Sequence, residues 1–510
     1  MINRLLLISL ILLFQVTAIA QKRVKLKSAD TMRGGTENNE RFDWVIGNVV
    51  FVQNQTTIYC DSAIFHRSKN QIEAFGKIRI QDGDSVSVTA SKLNYDGDKK
   101  IAYLRKNVIF DKLKTATLYT DFLDFDRVKN VATYFNGGKV VDSTNTLTSK
   151  KGYYNVNTNM ASFKKDVNGV NKDYELTSDT LQYNTRSKVI YFQAFTTLKD
   201  KEGGVAYYQN GYYDTTKKLS TLSQGEIETE SYKLKGDAYF IDDKVKMYKA
   251  RGRVAMTSKE ENLVVFGDAG DYDKEHGVTK VYGNAYLTKI ADNGDSLFLS
   301  ADTLVSIENE DPSKKRMLAY NNVLIYKSDL QGTADSLSYS PSDSTLYFYN
   351  NPVLWSEENQ MSADSVWIQL SQGSIDKLFM VMNAFVIAED TLKNFNQIKG
   401  RKMVANFKDD QIHHVDVQGN GESLYFAIEE AEAETEDATI RILATVGMNK
   451  IICSNMKINF LDGKLNNISF YVNPDASFIP PHELNKEDQE LRGFIWRGEE
   501  RPTRSQVVKQ

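Results

Sequence analysis

Leu118-Tyr119-Thr120-Asp121-Phe122-Leu123-Asp124-Phe125 is the stretch that decides the fold. An apolar residue and a small residue lead to a central Asp, and two more apolar residues follow at +2 and +4. The same form recurs with its centre at Asp61, Ser91, Asp121, Lys150, Asp179, Gln209, Asp237, Asp268, Asp302, Asp335, Asp364 and Arg401. Successive centres lie 30, 30, 29, 29, 30, 28, 31, 34, 33, 29 and 37 residues apart. Self-similarity at such a period marks a repeat architecture.

The register inside one unit predicts strands. Positions −3 and −1 are Leu118 and Thr120, Val88 and Ala90, or Met361 and Ala363. Positions +2 and +4 are Leu123 and Phe125, Leu93 and Tyr95, or Val366 and Ile368. Each half alternates with period 2, and the phase slips by one at the centre. Such a slip turns side chains to the opposite face unless the strand bends there. The centre is therefore a corner between two strand halves. Eight of the twelve centres are Asp, but Lys150 and Arg401 occupy the same place, so a ligand or catalytic role does not fit. Hydrogen bonding to nearby backbone amides at the corner does.

A second half-motif follows each corner, an aromatic residue, then Gly or Asn, then an alternating strand. Examples begin at Phe75-Gly76, Tyr282-Gly283, Tyr320-Asn321 and Tyr349-Asn350. This reads as strand, tight turn or bulge, strand. Polar turns such as Asp96-Gly97-Asp98, Asp292-Asn293-Gly294-Asp295 and Asp462-Gly463 separate the half-motifs.

In a chain of 510 residues the repeat outweighs the default of several domains. With 27 Tyr, 25 Phe and only 7 Pro, the composition suits strands. A net charge of −4 gives no electrostatic case for a nucleic-acid partner. Residues 1–20 read as a signal peptide: Arg4, an apolar core over 5–14, and a small-x-small cleavage site at Ala18-Ile19-Ala20. An uncleaved anchor is the alternative, although the apolar stretch is shorter than the ~20 residues of a spanning helix. No Cys follows the site to take a lipid anchor. Cys60 and Cys453 lie at opposite ends of the array, and Cys60 at a −1 position reads as a buried thiol.

Residues 21–41 form a basic lead-in with Lys22, Arg23, Lys25 and Lys27, a solvated segment or one that touches anionic headgroups. The array runs over 42–427, with looser spacing from Asp302 onward and no linker inside it. Residues 428–439, rich in Glu, read as an acidic insertion loop. A terminal β-repeat follows over 440–479, and residues 480–510 read as a polar mobile tail in which Trp496 is isolated.

No GxSxG, GxxxxGK[ST], HExxH or CxxC pattern is present, so neither an enzyme nor a cofactor is expected. His413 and His414 would point to opposite faces of a strand, which makes a poor chelating pair. The Asp-rich turns lack the spacing of a calcium loop.

Corners at this period fold each rung back on itself into two facing antiparallel sheets. Val88, Leu93, Leu118, Leu123, Leu181, Leu234, Val265, Leu337 and Val366 then face the interior. Ala90, Gly236, Gly267, Ala301, Ala334 and Ala363 recur there as small residues. Small residues at one layer leave room for acyl chains, each buried CH₂ worth about 0.8 kcal/mol. The equal alternative is that these side chains simply pack on one another.

Asp61-Ser62-Ala63-Ile64-Phe65 with Gly76-Lys77-Ile78, and Ala334-Asp335-Ser336-Leu337-Ser338-Tyr339 followed by Val353, resemble OstA-like repeats. These occur in the periplasmic bridge protein of lipopolysaccharide transport and in the N-terminal part of its outer-membrane translocon. The resemblance spans roughly residues 42–473. It implies an elongated all-β jellyroll open at its ends, with lipopolysaccharide acyl chains in a continuous apolar groove lined by the inward residues above. It also implies a non-catalytic periplasmic or outer-membrane-associated protein. Its partners would be lipopolysaccharide or a related lipid, and other OstA-like transport proteins including a translocon, joined edge to edge. The chain departs from the family in having many more repeats than the bridge protein and no translocon barrel. An extracellular or surface structural, adhesive β-solenoid with a filled core is the competing expectation.

Overall fold

A computed structural model describes residues 23–509 apart from 38, 85, 113–114, 261, 291–295, 372–373, 409–410, 435–438 and 462–463. The expected signal peptide and the turns at 292–295 and 462–463 lie outside the described residues. What is described is almost entirely antiparallel β-structure, in 35 strands. The chain divides into two compact units, Met1–Lys217 and Lys218–Gln510. Sequence reading runs residues 42–427 as one array and places no boundary there.

One repeat is two long strands. Thr56–His66 pairs with Gln71–Asp82, which pairs with Val86–Asp96. Along Thr56–His66, Ile58 and Cys60 are buried, Asp61 is exposed, and Ala63 and Phe65 are buried again. The predicted phase slip is therefore real, and the neighbouring strand shows its cause. Phe75 pairs with Lys92 and Ile78 with Ala90, so Gly76 and Lys77 together face Ser91 alone. Both bulge residues have positive φ, 71° and 35°. The same two-residue left-handed bulge recurs at Gly47-Asn48, Lys106-Asn107, Asn136-Gly137, Lys165-Asp166, Gly252-Arg253, Gly283-Asn284, Asn321-Asn322 and Met382-Asn383. Gly, Asn and Lys dominate because β-branched side chains are strained there. The Gly-or-Asn signal is thus a bulge inside a continuous strand at Phe75-Gly76 and Tyr320-Asn321, and a break between two strand segments at Tyr282-Gly283 and Tyr349-Asn350.

Each long strand passes through a corner and contributes one half to each of two layers, and elsewhere two short strands take the place of its halves. Residues 56–60, 78–82 and 86–90 lie in the first layer, and 62–66, 71–75 and 92–96 in the second. The corner residue works mainly through side chains. Asn284, Asn322, Asn350 and Asn383 donate to Asp268, Asp302, Asp335 and Asp364 at 2.9–3.2 Å. Among the described residues, the expected backbone donor is seen at Asp121 alone, the amide of Asn107 at 2.9 Å. Arg253 pairs with Asp237 at another corner, and Lys150 forms an ion pair with Asp166, that contact with its charges exchanged. This is why a Lys stands where the pattern asks for Asp. Asp30, bonded by Asn48 at 2.9 Å opposite Gly47, is a further corner within the expected lead-in. Strands Lys25–Ser28 and Thr31–Glu37 flank it. Cys60 is buried and unpaired, its thiol pushed up to about 12 by burial and the neighbouring Asp61.

Two further differences concern the C-terminal unit. The expected acidic loop is the end of a long hairpin, Gln411–Glu434 against Thr439–Leu461, whose tip lies outside the described residues. The expected mobile tail lies packed against the outward face of the first layer. Gln397 donates to Gln489 O at 2.7 Å and accepts from Leu491 N at 2.8 Å. Gln360 donates to Ile495 O at 2.8 Å and accepts from Arg497 N at 2.6 Å. Gln331 accepts from Arg501 at 2.7 Å, and Arg504 lies 4.7 Å from the Phe298 ring centroid. All four body residues hold repeat position −4 relative to Asp302, Asp335, Asp364 and Arg401. Leu491 packs with Phe385, Ile387, Leu424, Phe426 and Met448, and Trp496 stands 5.0 Å from Phe395. The tail is thus a strap, and Trp496 is one of its anchors.

Replacing Gln397 by Leu strands two backbone groups of the strap, which costs about 2 kcal/mol locally. Amide exchange at residues 489–497 should accelerate while exchange in the N-terminal unit stays unchanged; unchanged protection of the strap would refute this role for Gln397.

Candidate functional site

Inward faces of both layers form the candidate site. Eight of the nine predicted groove residues, Val88, Leu93, Leu118, Leu123, Leu181, Val265, Leu337 and Val366, are 0–8% exposed. Leu234 is only partly buried. They reach one another through the intervening strands. Phe110 bridges Val88 and Leu118, Leu104 bridges Leu93 and Leu123, Met256 bridges Leu234 and Val265, and Phe348 bridges Leu337 and Val366.

In the N-terminal unit the two layers meet through aromatic rings, one of each pair standing at repeat position +4. Phe51 and Phe65 stand 5.3 Å apart, Phe110 and Phe125 5.4 Å, and Tyr174 and Tyr213 5.4 Å, all edge to face. Each pair joins one layer to the other, adding to its buried area a geometric preference worth roughly 0.5–1.5 kcal/mol. Tyr134 crosses to Ser149 at 2.6 Å, which satisfies its buried hydroxyl.

Opposite the corners, the strand ends of the two layers approach along a seam, and polar contacts close it. Arg23 donates to Arg67 O at 2.6 Å. Gln53 donates to Gly97 O at 2.7 Å and accepts from the Tyr95 hydroxyl. Arg127 pairs with Asp82 at 2.8 Å and donates to the Tyr95 hydroxyl at 2.9 Å. Lys112 donates to Val156 O and Asn159 Oδ1. Lys188 pairs with Asp142 at 2.8 Å, and Asp142 also accepts from Tyr183. The first-layer members, 23, 53, 82, 112 and 142, recur almost at the repeat period. Their principal partners lie 44–47 residues onward, one and a half repeats. Their chemistry changes from Arg to Gln, Asp, Lys and Asp, so no residue-type motif announces them.

The C-terminal unit has a different fringe. Its buried cluster runs from Val265 to Ile458, and Met256, Leu263, Leu287, Leu297, Leu346 and Ile375 pack against it while partly exposed. At the far end His413 and His414 stand with their Nδ1 atoms 2.8 Å apart. A register shift between Asn406 and Phe407 turns them together, against the sequence expectation of opposite faces. Among the described residues, no three His, Cys, Asp or Glu side chains cluster to hold a metal ion.

Asp142 makes the seam sensitive to acid. Burial alone would raise its pKa. The Lys188 ammonium, the Tyr183 hydroxyl and the amides of Thr144 and Asn145 outweigh this and hold it below the usual carboxylate range. With a lowered folded-state value, its contribution is present above the unfolded carboxylate value of about 4 and is lost as pH falls below it. The urea midpoint of the N-terminal unit should fall between pH 5 and 3 more steeply in the native chain than in Asp142→Asn. The variant should already be weaker at pH 7 by roughly 2–3 kcal/mol, because Lys188 loses its partner. Parallel pH profiles for the two proteins would exclude this role.

Comparison with known proteins adds three findings. Residues 21–179 match the family model described as OstA-like protein. Among solved structures, the crystal structure of LptH is similar; it is the LptA-homologous periplasmic component of the lipopolysaccharide transport device of Pseudomonas aeruginosa. That likeness covers 23% of this chain and 82% of LptH, at 16% identity and a TM-score of 0.21. No curated protein sequence matches significantly. The matched residues 21–179 carry the corners at Asp61, Ser91, Asp121, Lys150 and Asp179, and over them the chain is similar to the OstA-like family.

Proposed function

We propose that this protein is a periplasmic lipid carrier in lipopolysaccharide transport and outer-membrane assembly. Acyl chains lie against the inward apolar face, and the protein performs no catalysis of its own. The observation that carries this reading is the partly exposed apolar fringe of the C-terminal unit, where Leu234, Met256, Leu263, Leu287 and Leu297 border the buried cluster. A repeated face of this kind offers nearly equal positions from rung to rung. Each CH₂ it covers stabilises the bound chain by about 0.8 kcal/mol. The OstA-like match over 21–179 supports the reading by linking the repeat to that transport family. Partners join by strand pairing at exposed edges, Lys25–Ser28 and Thr31–Glu37 at one end of the chain and Asp475–Ile479 at the other.

A filled-core structural β-array is the second reading. The closed interior of the N-terminal unit favours it, with aromatic rings between the layers and polar contacts along the seam.

Photoreactive residues at Leu123, Leu234 and Leu337, and at the outward positions Asp124 and Lys233, separate the two in cells. The carrier reading expects lipopolysaccharide adducts at Leu234 and Leu337 and none at the outward sites. An exported, folded protein with no adduct at any inward site would establish the structural array instead.

A further inference from the structure

We propose that Lys112 and Arg186 form an anion-binding notch on the seam of the N-terminal unit, built for a phosphate group. Lys112 ends the strand Ile101–Lys112, and its ammonium crosses the seam to Val156 O and Asn159 Oδ1, 5.8 Å from the Tyr154 ring centroid. Both acceptors are neutral. The other two seam cations that face a carboxylate have it in contact, Arg127 with Asp82 and Lys188 with Asp142. Among the described residues, no carboxylate forms an ion pair with Lys112 or Arg186.

Arg186 stands in the adjoining turn. Thr185 N and Oγ1 both donate to Asn159 O, at 2.9 and 3.2 Å, which fixes that turn beside the Lys112 acceptors. Lys188 approaches from the same turn, its ammonium 3.4 Å from Thr115 O. Lys188 and Tyr183 take up Asp142, so that carboxylate does not complete Lys112. Burial, and then the charge of Arg186, depress the Lys112 pKa, the mark of a cation held without a counter-ion. A partly buried positive charge of this kind is destabilising unless an anion completes it. A phosphate oxygen accepts from both an ammonium and a guanidinium.

In its lipid form the inference rests on the carrier reading. A lipid docked along the outside of the seam, which its polar contacts hold closed, meets the notch with its sugar-linked phosphate. A free phosphate ion would present the same chemistry.

Calorimetric titration of the purified protein distinguishes the sources, with three probes. These are inorganic phosphate, a bis-phosphorylated acylated disaccharide lipid, and the same lipid with its phosphates removed. The native chain should bind the phosphorylated lipid about tenfold more tightly than the dephosphorylated one, as one charge-assisted contact implies. Lys112→Gln and Arg186→Gln should each erase most of that ratio, and Lys112→Arg should keep it. Phosphate binding that depends on Lys112, with both lipids bound equally, supports the notch as a free-anion site and overturns its lipid form. Equal binding of every probe by native and variant proteins overturns the notch, and uptake of dephosphorylated lipid in that case leaves the carrier reading standing. Phosphate binding without uptake of either lipid refutes the carrier reading and retains the notch. Should Lys112→Gln fail to fold, Arg186→Gln and Lys112→Arg carry the same comparison.

Discussion

Everything in this fold depends on one backbone device, two consecutive residues of positive φ set against a single residue on the neighbouring strand. A β-strand has a strict period of two, so any bend would exchange its faces. Adding one residue at the bend restores the phase, and the strand continues into the second layer with its apolar side still inward. Gly76-Lys77, Gly283-Asn284 and Asn321-Asn322 are local solutions to the same geometric demand. The corner side chains then hold the bulge in place by whatever polar pairing is available. Asp with Asn, Asp with Arg and Lys with Asp are energetically similar at an exposed corner, so the pairing varies while the bend does not.

The two units apply this device to different ends. In the N-terminal unit, large aromatic side chains fill the space between the layers, and polar residues draw the strand ends together. In the C-terminal unit the inward side chains are more often aliphatic and partly exposed, and the strap covers the outward face instead. Stability is thus supplied from inside in one unit and reinforced from outside in the other.

Much of this was legible from period and phase. The slip at Asp61 and the alternation on either side of Asp121 predict the bend and the inward set, and eight of the nine chosen residues are buried. What period analysis misses is conserved in position but not in chemistry. Gln53, Asp82, Lys112 and Asp142 occupy nearly one place in successive repeats with three different kinds of contact, and no consensus reveals them. The strap escaped for the opposite reason. Residues 480–509 are locally polar and aperiodic, and their few anchors, Leu491, Trp496 and Val507, acquire meaning only against the surface they cover. The one visible clue was Gln at position −4 in three consecutive repeats, Gln331, Gln360 and Gln397. The corner at Asp30 was hidden because Lys27 and Gly34 stand where its outer apolar positions would be.

The strap also limits how the chain can change. Repeat arrays ordinarily lengthen or shorten by whole units, because each rung contacts only its neighbours. Four successive rungs of the C-terminal unit are read in order by one segment, through residues 489–491, 495–497, 501 and 504. Inserting or deleting a rung between Phe298 and Gln397 would leave every contact beyond it out of step. That unit therefore has a fixed rung count, while an array held only by neighbour-to-neighbour contacts keeps its length open to selection.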